Sequence, residues 1–353
     1  TKLTGEHNLR FGGEFRAYRE FFNRNPRDNA PDFSFANTYP RGPLNTSTAP
    51  PVGAELTALL LGIPGGSMTR SGSYAEQNLH YSLYLQDDWK VSRRFTVNLG
   101  LRWEMETPIT ERFDRSVAGF AFGTPNPIND QARANYAKNP IPELAADQFR
   151  ILGGLTFVNV GGNGRNYWEG EKNNIAPRMG FAYQLRDKTV LRAGYGIFFA
   201  PIGILKYSSI QTGFSQSTPI QASLDSGVTF IASTANPFPN GLQPALGAAG
   251  GLETNLGQGI SFFPGNRVNP YNQKWSFGIQ QVLPGQWLLD TSYVGGRATR
   301  LGITRNLNNT PAEYLSRSAS RDQATIDFLG KSFPNPLKGT NPIYGANISR
   351  ANL

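Results

Sequence analysis

His7 and His80 are the only imidazoles in this chain of 353 residues, which contains no cysteine. Thiol catalysis, disulfides and cysteine metal sites are therefore excluded, and neither histidine stands at a spacing from other ligand-type residues that a metal site uses. His80 reads as a hydrogen-bonding side chain on a polar face. Asp87 and Asp88 have the composition of an acid–base pair, but neighbours on a strand face opposite sides, so they read as the end of a strand at an aqueous rim. Gly161 to Gly164 and Gly194 to Gly196 could cradle a phosphate. Neither run opens a helix or leads to the lysine and hydroxyl residue such a loop needs. The first reads as a flexible loop and the second as close packing inside a curved sheet. No serine, histidine and acid occur in a recognisable catalytic context, so neither an enzyme nor a cofactor is expected.

A second group of charges has a clearer use. Arg102, Glu104, Arg178, Arg192 and Lys274 each alternate with apolar residues along their segments. Such ions line a wet lumen, where they can contact a solute or an internal domain, or pair with one another and with water.

The segments that carry these ions set the fold class. From Phe95 to Met105 every second residue is apolar (Phe95, Val97, Leu99, Leu101, Trp103, Met105), and Thr96, Asn98, Gly100, Arg102 and Glu104 stand between them. Successive strand side chains point to opposite faces, so this is one ribbon with an apolar side and a polar side. Its ten steps span about 33 Å, or about 25 Å vertically when tilted by about 40°, the height of the lipid band around an outer-membrane barrel.

The same design recurs. Leu79, Tyr81, Leu83 and Leu85 share a face against His80, Ser82, Tyr84 and Gln86, and this arm is expected to turn through Trp89 to Arg94 into the strand from Phe95. A second hairpin sets Met179, Phe181, Tyr183 and Leu185 against Arg178, Gly180, Ala182 and Gln184, turns at Arg186 to Lys188, and returns with Leu191, Ala193, Tyr195, Ile197 and Phe199 outward. Val190 and Phe198 break its alternation. A third aligns Trp275, Phe277 and Ile279, turns at Pro284 and Gly285, and aligns Trp287, Leu289, Thr291 and Tyr293. Leu9, Phe11, Gly13 and Phe15 form an opening strand. The expected strands are residues 7–17, 74–88, 94–106, 175–186, 189–200, 271–283 and 286–296, with a weaker one near Leu155 to Val160.

Tight turns alternate with long irregular connections, residues 22–73, 107–173 and 201–269, followed by 301–353. Connections this long are uncommon in compact soluble domains, whereas short turns on one rim and long loops on the other are the layout of an outer-membrane barrel. Aromatic rings fit two lipid boundaries: Trp89, Phe95, Tyr183 and Trp287 near the short turns, Trp103 and Trp275 near the long connections. Ala54 to Gly62 reads as a short helix stopped by Gly62 that packs over the barrel mouth.

Composition agrees. Glycine (39) and proline (25) are abundant, aromatics make up 12% and hydrophobic residues only 39%. That pairing is unusual for a soluble α/β enzyme, and no run approaches the length of a transmembrane helix. The net charge of +9 comes from basic residues that never run beyond two, which excludes a nucleic-acid footprint and suits anionic lipid headgroups. The first residues lack a secretory signal and the chain stops without a terminal strand, so a fragment or processed chain is expected, an incomplete barrel of seven or eight strands.

The stretches YLQDDWKVSRRFTVNLGLRWE, NNIAPRMGFAYQLRDKTVLRAGYGIFFAP and NPYNQKWSFGIQQVLPGQWLLDTSYVGGRATRL, in that order, resemble barrel hairpins of TonB-dependent outer-membrane receptors, most of all the Oar-like subgroup. HNLRFGGEFR and LTALLLGIP fit the same subgroup. The resemblance implies an antiparallel barrel of about 22 strands, plugged by an N-terminal domain that an inner-membrane energy-coupling complex displaces. It implies as partners outer-membrane lipid, that plug, the remaining barrel strands, the TonB complex acting through an N-terminal region absent here, and a solute of unknown identity. Import across the bacterial outer membrane is the activity it implies. A structural or adhesive outer-membrane protein and a secreted all-β carbohydrate-binding protein are the alternatives.

Overall fold

The structure is a computed structural model that describes residues 1–23, 30–39, 48, 52–225, 227–340 and 344–352. Parts of the expected connections 22–73, 201–269 and 301–353 lie outside the described residues. The dominant element is an antiparallel meander of eight strands: β1 (Lys2–Thr4), β2 (His7–Phe22), β3 (Tyr74–Ser92), β4 (Phe95–Glu106), β5 (Asn174–Arg186), β6 (Thr189–Phe199), β7 (Tyr271–Val282) and β8 (Leu288–Thr299). Each strand pairs with its neighbours in sequence, and Thr110–Glu111 adds a short extra pairing to β3. Among the described residues β8 does not pair back to β1 or β2, so the sheet is not closed.

One register runs through the sheet. Ser82 lies opposite Glu14 and Glu104, Arg102 opposite Ala176, and Arg178 opposite Gly196, which in turn faces Lys274. Partners across a ladder share a face, so from β2 to β8 even-numbered strand residues lie on one side and odd-numbered ones on the other, up to the irregularities at Ser92 and Arg186 beside the short turns. The odd side carries exposed Phe11 (65%), Leu99 (47%) and Tyr293 (65%), with Leu83, Leu101, Met179 and Phe277 beside them. A continuous apolar face of this size has no place in water, and it defines the lipid-facing exterior.

The turns explain how the register is kept. β3 and β4 close through Arg93 and Arg94 with an irregularity between Lys90 and Ser92, and β5 and β6 close through Asp187 and Lys188. Between β7 and β8 Gly285 sits at φ 78°, a left-handed conformation that glycine adopts without penalty.

Several expected boundaries change. Trp89 to Ser92 belong to β3 and are not turn, because Trp89 pairs with Val97 and Lys90 with Thr96; Asp87 and Asp88 therefore lie inside the strand, not at its end. β2 runs on to Phe22 because Tyr18 and Glu20 continue the ladder opposite Asn78 and Glu76, and the Phe22 ring stacks on Tyr74 at 5.2 Å. β8 begins at Leu288 and ends at Thr299, so Trp287 sits in the turn. The segment near Leu155 is no barrel strand: Leu155–Phe157 pairs with Val117–Phe120 in a separate ribbon. Its apolar residues Leu155, Phe157 and Val117 pack on one another, as residues in water must.

The long connections are folded where they are described. Pro31–Ser34, Gly65–Ser71 and Ser215–Pro219 make a three-stranded sheet that joins two connections. Helices α1 (Glu55–Leu60), α2 (Asn129–Tyr136) and α3 (Gln323–Gly330) and the ribbon Ser332–Pro334 with Asn347–Ser349 complete them. Gly62, at φ 65°, follows α1. The buried clusters Ile109, Val158, Tyr167, Trp168, Ile202 and Ala132, Tyr136, Ile141, Phe149 belong to these connections and not to the meander. Water drives apolar residues inward there, whereas the meander turns its apolar side to lipid.

Candidate functional site: the inner wall and its roof

The even-numbered side of the meander is a charged wall in two unlike halves. On β2 to β4 the charges are paired: Arg102 bonds Glu14 at 2.9 Å and also Glu104, Glu14 holds Arg16, and Arg10 meets Asp88 at 3.1 Å. Asp88 also accepts from Asn98 Nδ2 at 2.7 Å. On β5 to β8 the picture reverses. Arg178 and Lys274 flank the Phe198 ring, their charged groups 4.7 and 5.7 Å from its centre, and Arg192 lies opposite Ala182 and Gly278. Phe198 breaks the alternation because it folds inward over Gly196, where a Cβ would sit 3.0 Å from the ring. The structure thus brings Arg102 and Glu104 together, sets Arg178 near Lys274, and leaves Arg192 apart from both groups.

His80 lies on the wall opposite Arg16 and Glu106. His7 is on the exterior, 2.7 Å from Asp87 and stacked on Trp89 at 5.2 Å. Asp87 and Asp88 accordingly serve opposite faces. Phe95 meets Tyr183 edge-on at 5.8 Å, Trp103 donates through Nε1 to the Lys172 carbonyl at 2.7 Å, and Trp275 lies over Gly295, where a Cβ would come within 2.4 Å of its ring. Trp89, Phe95, Trp103, Tyr183 and Trp275 share the exterior, and Trp287 projects from the last short turn.

Buried carboxylates tie the roof to the wall. Glu106, the last residue of β4, accepts from Asn78 Nδ2 at 2.8 Å, from the backbone amides of Ile202 and Gly203 at 2.8 and 3.0 Å, and from Asn269 Nδ2 at 3.3 Å. Glu111 is fully buried and accepts from the amides of Ala75, Phe113 and Arg115 at 2.7 to 2.9 Å. The donors around each carboxyl group offset the cost of burying it, and each one staples a connection onto the outer end of β3. Arg267 sits among Trp168, Tyr207 and Phe263 at 4.0 to 4.6 Å from their rings, closing the roof from within. Sequence reasoning missed Glu106, Glu111 and Arg267. Their partners are backbone amides and rings distant in sequence, and no local spacing announces them.

Outward-facing Arg19 and Gln77 are register partners joined by a 2.9 Å bond. An arginine on the exterior marks the end of the lipid band, so the outer ends of β2 and β3 stand above it. Beyond that level lies Glu76, buried beneath the roof. Burial pushes its carboxyl up to about 7, Ser209 opposes the rise, and Glu20 and Glu111 add repulsion.

The sequence profile of the outer membrane beta barrel domain matches residues 1–348. No curated protein matches the chain. Among solved structures it is similar to the alcaligin outer-membrane receptor FauA from Bordetella pertussis, with 10% identity, a TM-score of 0.29, and coverage of 71% of this chain and 27% of that one. It is also similar to a double mutant of the Serratia marcescens hemophore receptor HasR in complex with its hemophore HasA and heme, with 11% identity, a TM-score of 0.31, and coverage of 83% and 33%. The chain thus spans a third or less of the length of these receptors. With an all-β antiparallel meander, an apolar exterior and a charged inner wall, this chain belongs to the outer membrane beta barrel domain family and resides in the outer membrane.

Proposed function

We propose that the chain is the barrel portion of a TonB-dependent receptor of the Oar-like subgroup, which captures a solute at its outer connections and passes it inward along the charged wall without chemical change. The observation that carries this reading is the union of a lipid-facing exterior, a hydrated ionic wall and a folded roof clamped over that wall through Glu106. A purely structural barrel has no need of a roof bonded to its lumen. Specificity in this reading lies in residues 22–73, 107–173 and 201–269, and a plug supplied by the parent protein fills the lumen.

In vivo crosslinking of the full-length protein in native outer membranes tests it. Capture of the energy-coupling protein that increases when ligand-rich medium is supplied is the expected result. Absence of any crosslink under both conditions removes energised import and leaves the adhesive reading.

A further inference from the structure

The short turns of the meander form one continuous rim. The Gln184 amide donates to the Arg94 carbonyl at 2.8 Å and the Val282 amide to the Lys188 carbonyl at 2.9 Å, so the turns after β3, β5 and β7 are bonded side by side. Short turns of an outer-membrane barrel face the periplasm, at the level of the inner-leaflet headgroups. Residues 90–95, 184–189 and 282–288 carry Lys90, Arg93, Arg94, Arg186 and Lys188, all exposed, against one carboxylate, Asp187. Glu6, in the turn before β2, lies at the far end of the rim, where its carbonyl accepts from the Lys90 amide at 2.8 Å.

The irregularity at the end of β5 aims one of these cations at the lipid. Arg186 pairs with Thr189, and Thr189 with Gln281, so Arg186 joins the exterior row although its number is even. Thr189 and Gln281 are bonded at 2.6 Å. The exterior thus passes from an apolar row, Phe95, Tyr183, Leu191 and Ile279, to a polar one within two residues, or about 7 Å of strand. That step marks the edge of the lipid band.

Arg94, Arg186 and Lys188 stand at the ends of three adjacent strands, β4, β5 and β6, within two ladder spacings or about 10 Å of one another at their backbones. Arg94 gives one Nη to Asp187 at 2.9 Å, but both groups are more than half exposed, so the pair adds little. These strands are bordered by β3 and β7, so any strand that completes the sheet joins it elsewhere. The exterior row also lies across the sheet from the lumen, out of reach of anything that fills it.

We propose that this stretch of rim binds an anionic phospholipid of the inner leaflet, its phosphate held by Arg94, Arg186 and Lys188 and its acyl chains laid along Tyr183 and Leu191. Two observations select that occupant: the excess of cations, and their continuity with the lipid-facing exterior. Forked guanidinium groups match a phosphodiester, and Lys188 adds a point charge. A zwitterionic lipid carries its own cation beside the phosphate and gains less here. The site rests on the outer-membrane fold and holds with or without solute import.

The test is native mass spectrometry of the full-length protein released from micelles that contain phosphatidylglycerol and phosphatidylcholine in equal amounts with matched acyl chains. Retention of phosphatidylglycerol at least about tenfold above phosphatidylcholine is expected, and R94Q/R186Q/K188Q is expected to lose that preference. R305Q/R317Q/R321Q removes the same charge from exposed positions on the last connection and is expected to keep it. Circular dichroism checks that both variants retain their sheet. No preference in the unaltered protein, an equal fall in the two variants, or a preference that survives R94Q/R186Q/K188Q overturns the proposal. Displacement of phosphatidylglycerol by added lipid A, the lipid phosphate of the opposite leaflet, overturns it as well.

Discussion

Glu76 has less support than any other carboxyl under the roof. Glu106 and Glu111 each accept three or more donors, but neither oxygen of Glu76 has a partner in hydrogen-bonding geometry. With its carboxyl raised from 4.5 to about 7, the folded protein holds a proton there that the unfolded chain has already released. Below pH 4.5 both states are protonated and the contact is at full strength. Between 4.5 and about 7 only the unfolded state gains by ionising, so stability falls as pH rises, by about 3 kcal/mol at most above pH 7. Hydrogen-exchange protection factors, which divide out the intrinsic rise of exchange with pH, are expected to be larger at pH 5.5 than at pH 8.5 across residues 201–214, which include the Ser209 neighbour of Glu76, and Glu76→Gln is expected to flatten the difference. Smaller protection factors at pH 5.5 contradict the assignment. Glu106 acts through its hydrogen bonds: Glu106→Ala removes the acceptor of four of them, and about 2 to 4 kcal/mol of local roof stability is expected to go, read as protease sensitivity around Ile202.

A strand either has two faces or it does not, and β4 offers the cleanest measurement. Leu99 points to lipid and Asn98, its neighbour, to the wall, where it donates to Asp88. Leu99→Arg is expected to cost about 2 to 4 kcal/mol near the midplane and Asn98→Arg much less, as read by urea unfolding in lipid. Equal costs sink the two-faced strand. The absence of native cysteine makes the register itself testable: Leu99→Cys with Met179→Cys places two thiols on register partners of β4 and β5, and an intramolecular disulfide is expected. These strands were legible in the sequence because their period-two pattern is written over ten or more consecutive residues, as from Phe95 to Met105 and from Met179 to Leu185. What escaped was written elsewhere. The ends of β2 and β3 extend through polar residues such as Tyr18, Glu20, Asn78 and Glu76, where alternation no longer distinguishes a wet face from a wet surface. The strand Leu155–Phe157 and the folded connections are fixed by contacts distant in sequence, Val117 with Phe157 or Tyr136 with Phe149 among them, and no short window contains both partners. Arg178, Arg192 and Lys274 were visible as wall residues, but which side chains they meet depended on which strands lie side by side.

The open edges of the meander decide how the whole molecule behaves in lipid. Among the described residues β8 pairs with β7 alone, and the ladder on the other side of β2 is the short one between Lys2–Thr4 and His7 to Leu9. Each free backbone group on such an edge costs several kcal/mol in hydrocarbon, where no water can replace the missing bond, so neither edge stays bare within the lipid band. In the receptor reading proposed above, further strands of a longer protein are the natural partners. For the 353-residue chain inserted alone into lipid vesicles, the remaining partner is an edge of another copy. Single cysteines at Phe15 on β2 and Tyr293 on β8, both outward-facing, report this without interference from native thiols. Mixed and oxidised, the two variants are expected to form intermolecular dimers, whereas a single cysteine at Phe181 on the interior strand β5 is expected to remain monomeric. If the inserted chain instead runs as a protease-resistant monomer with both edge thiols unreacted, its edges have found each other, and the unclosed sheet described here is not its membrane form.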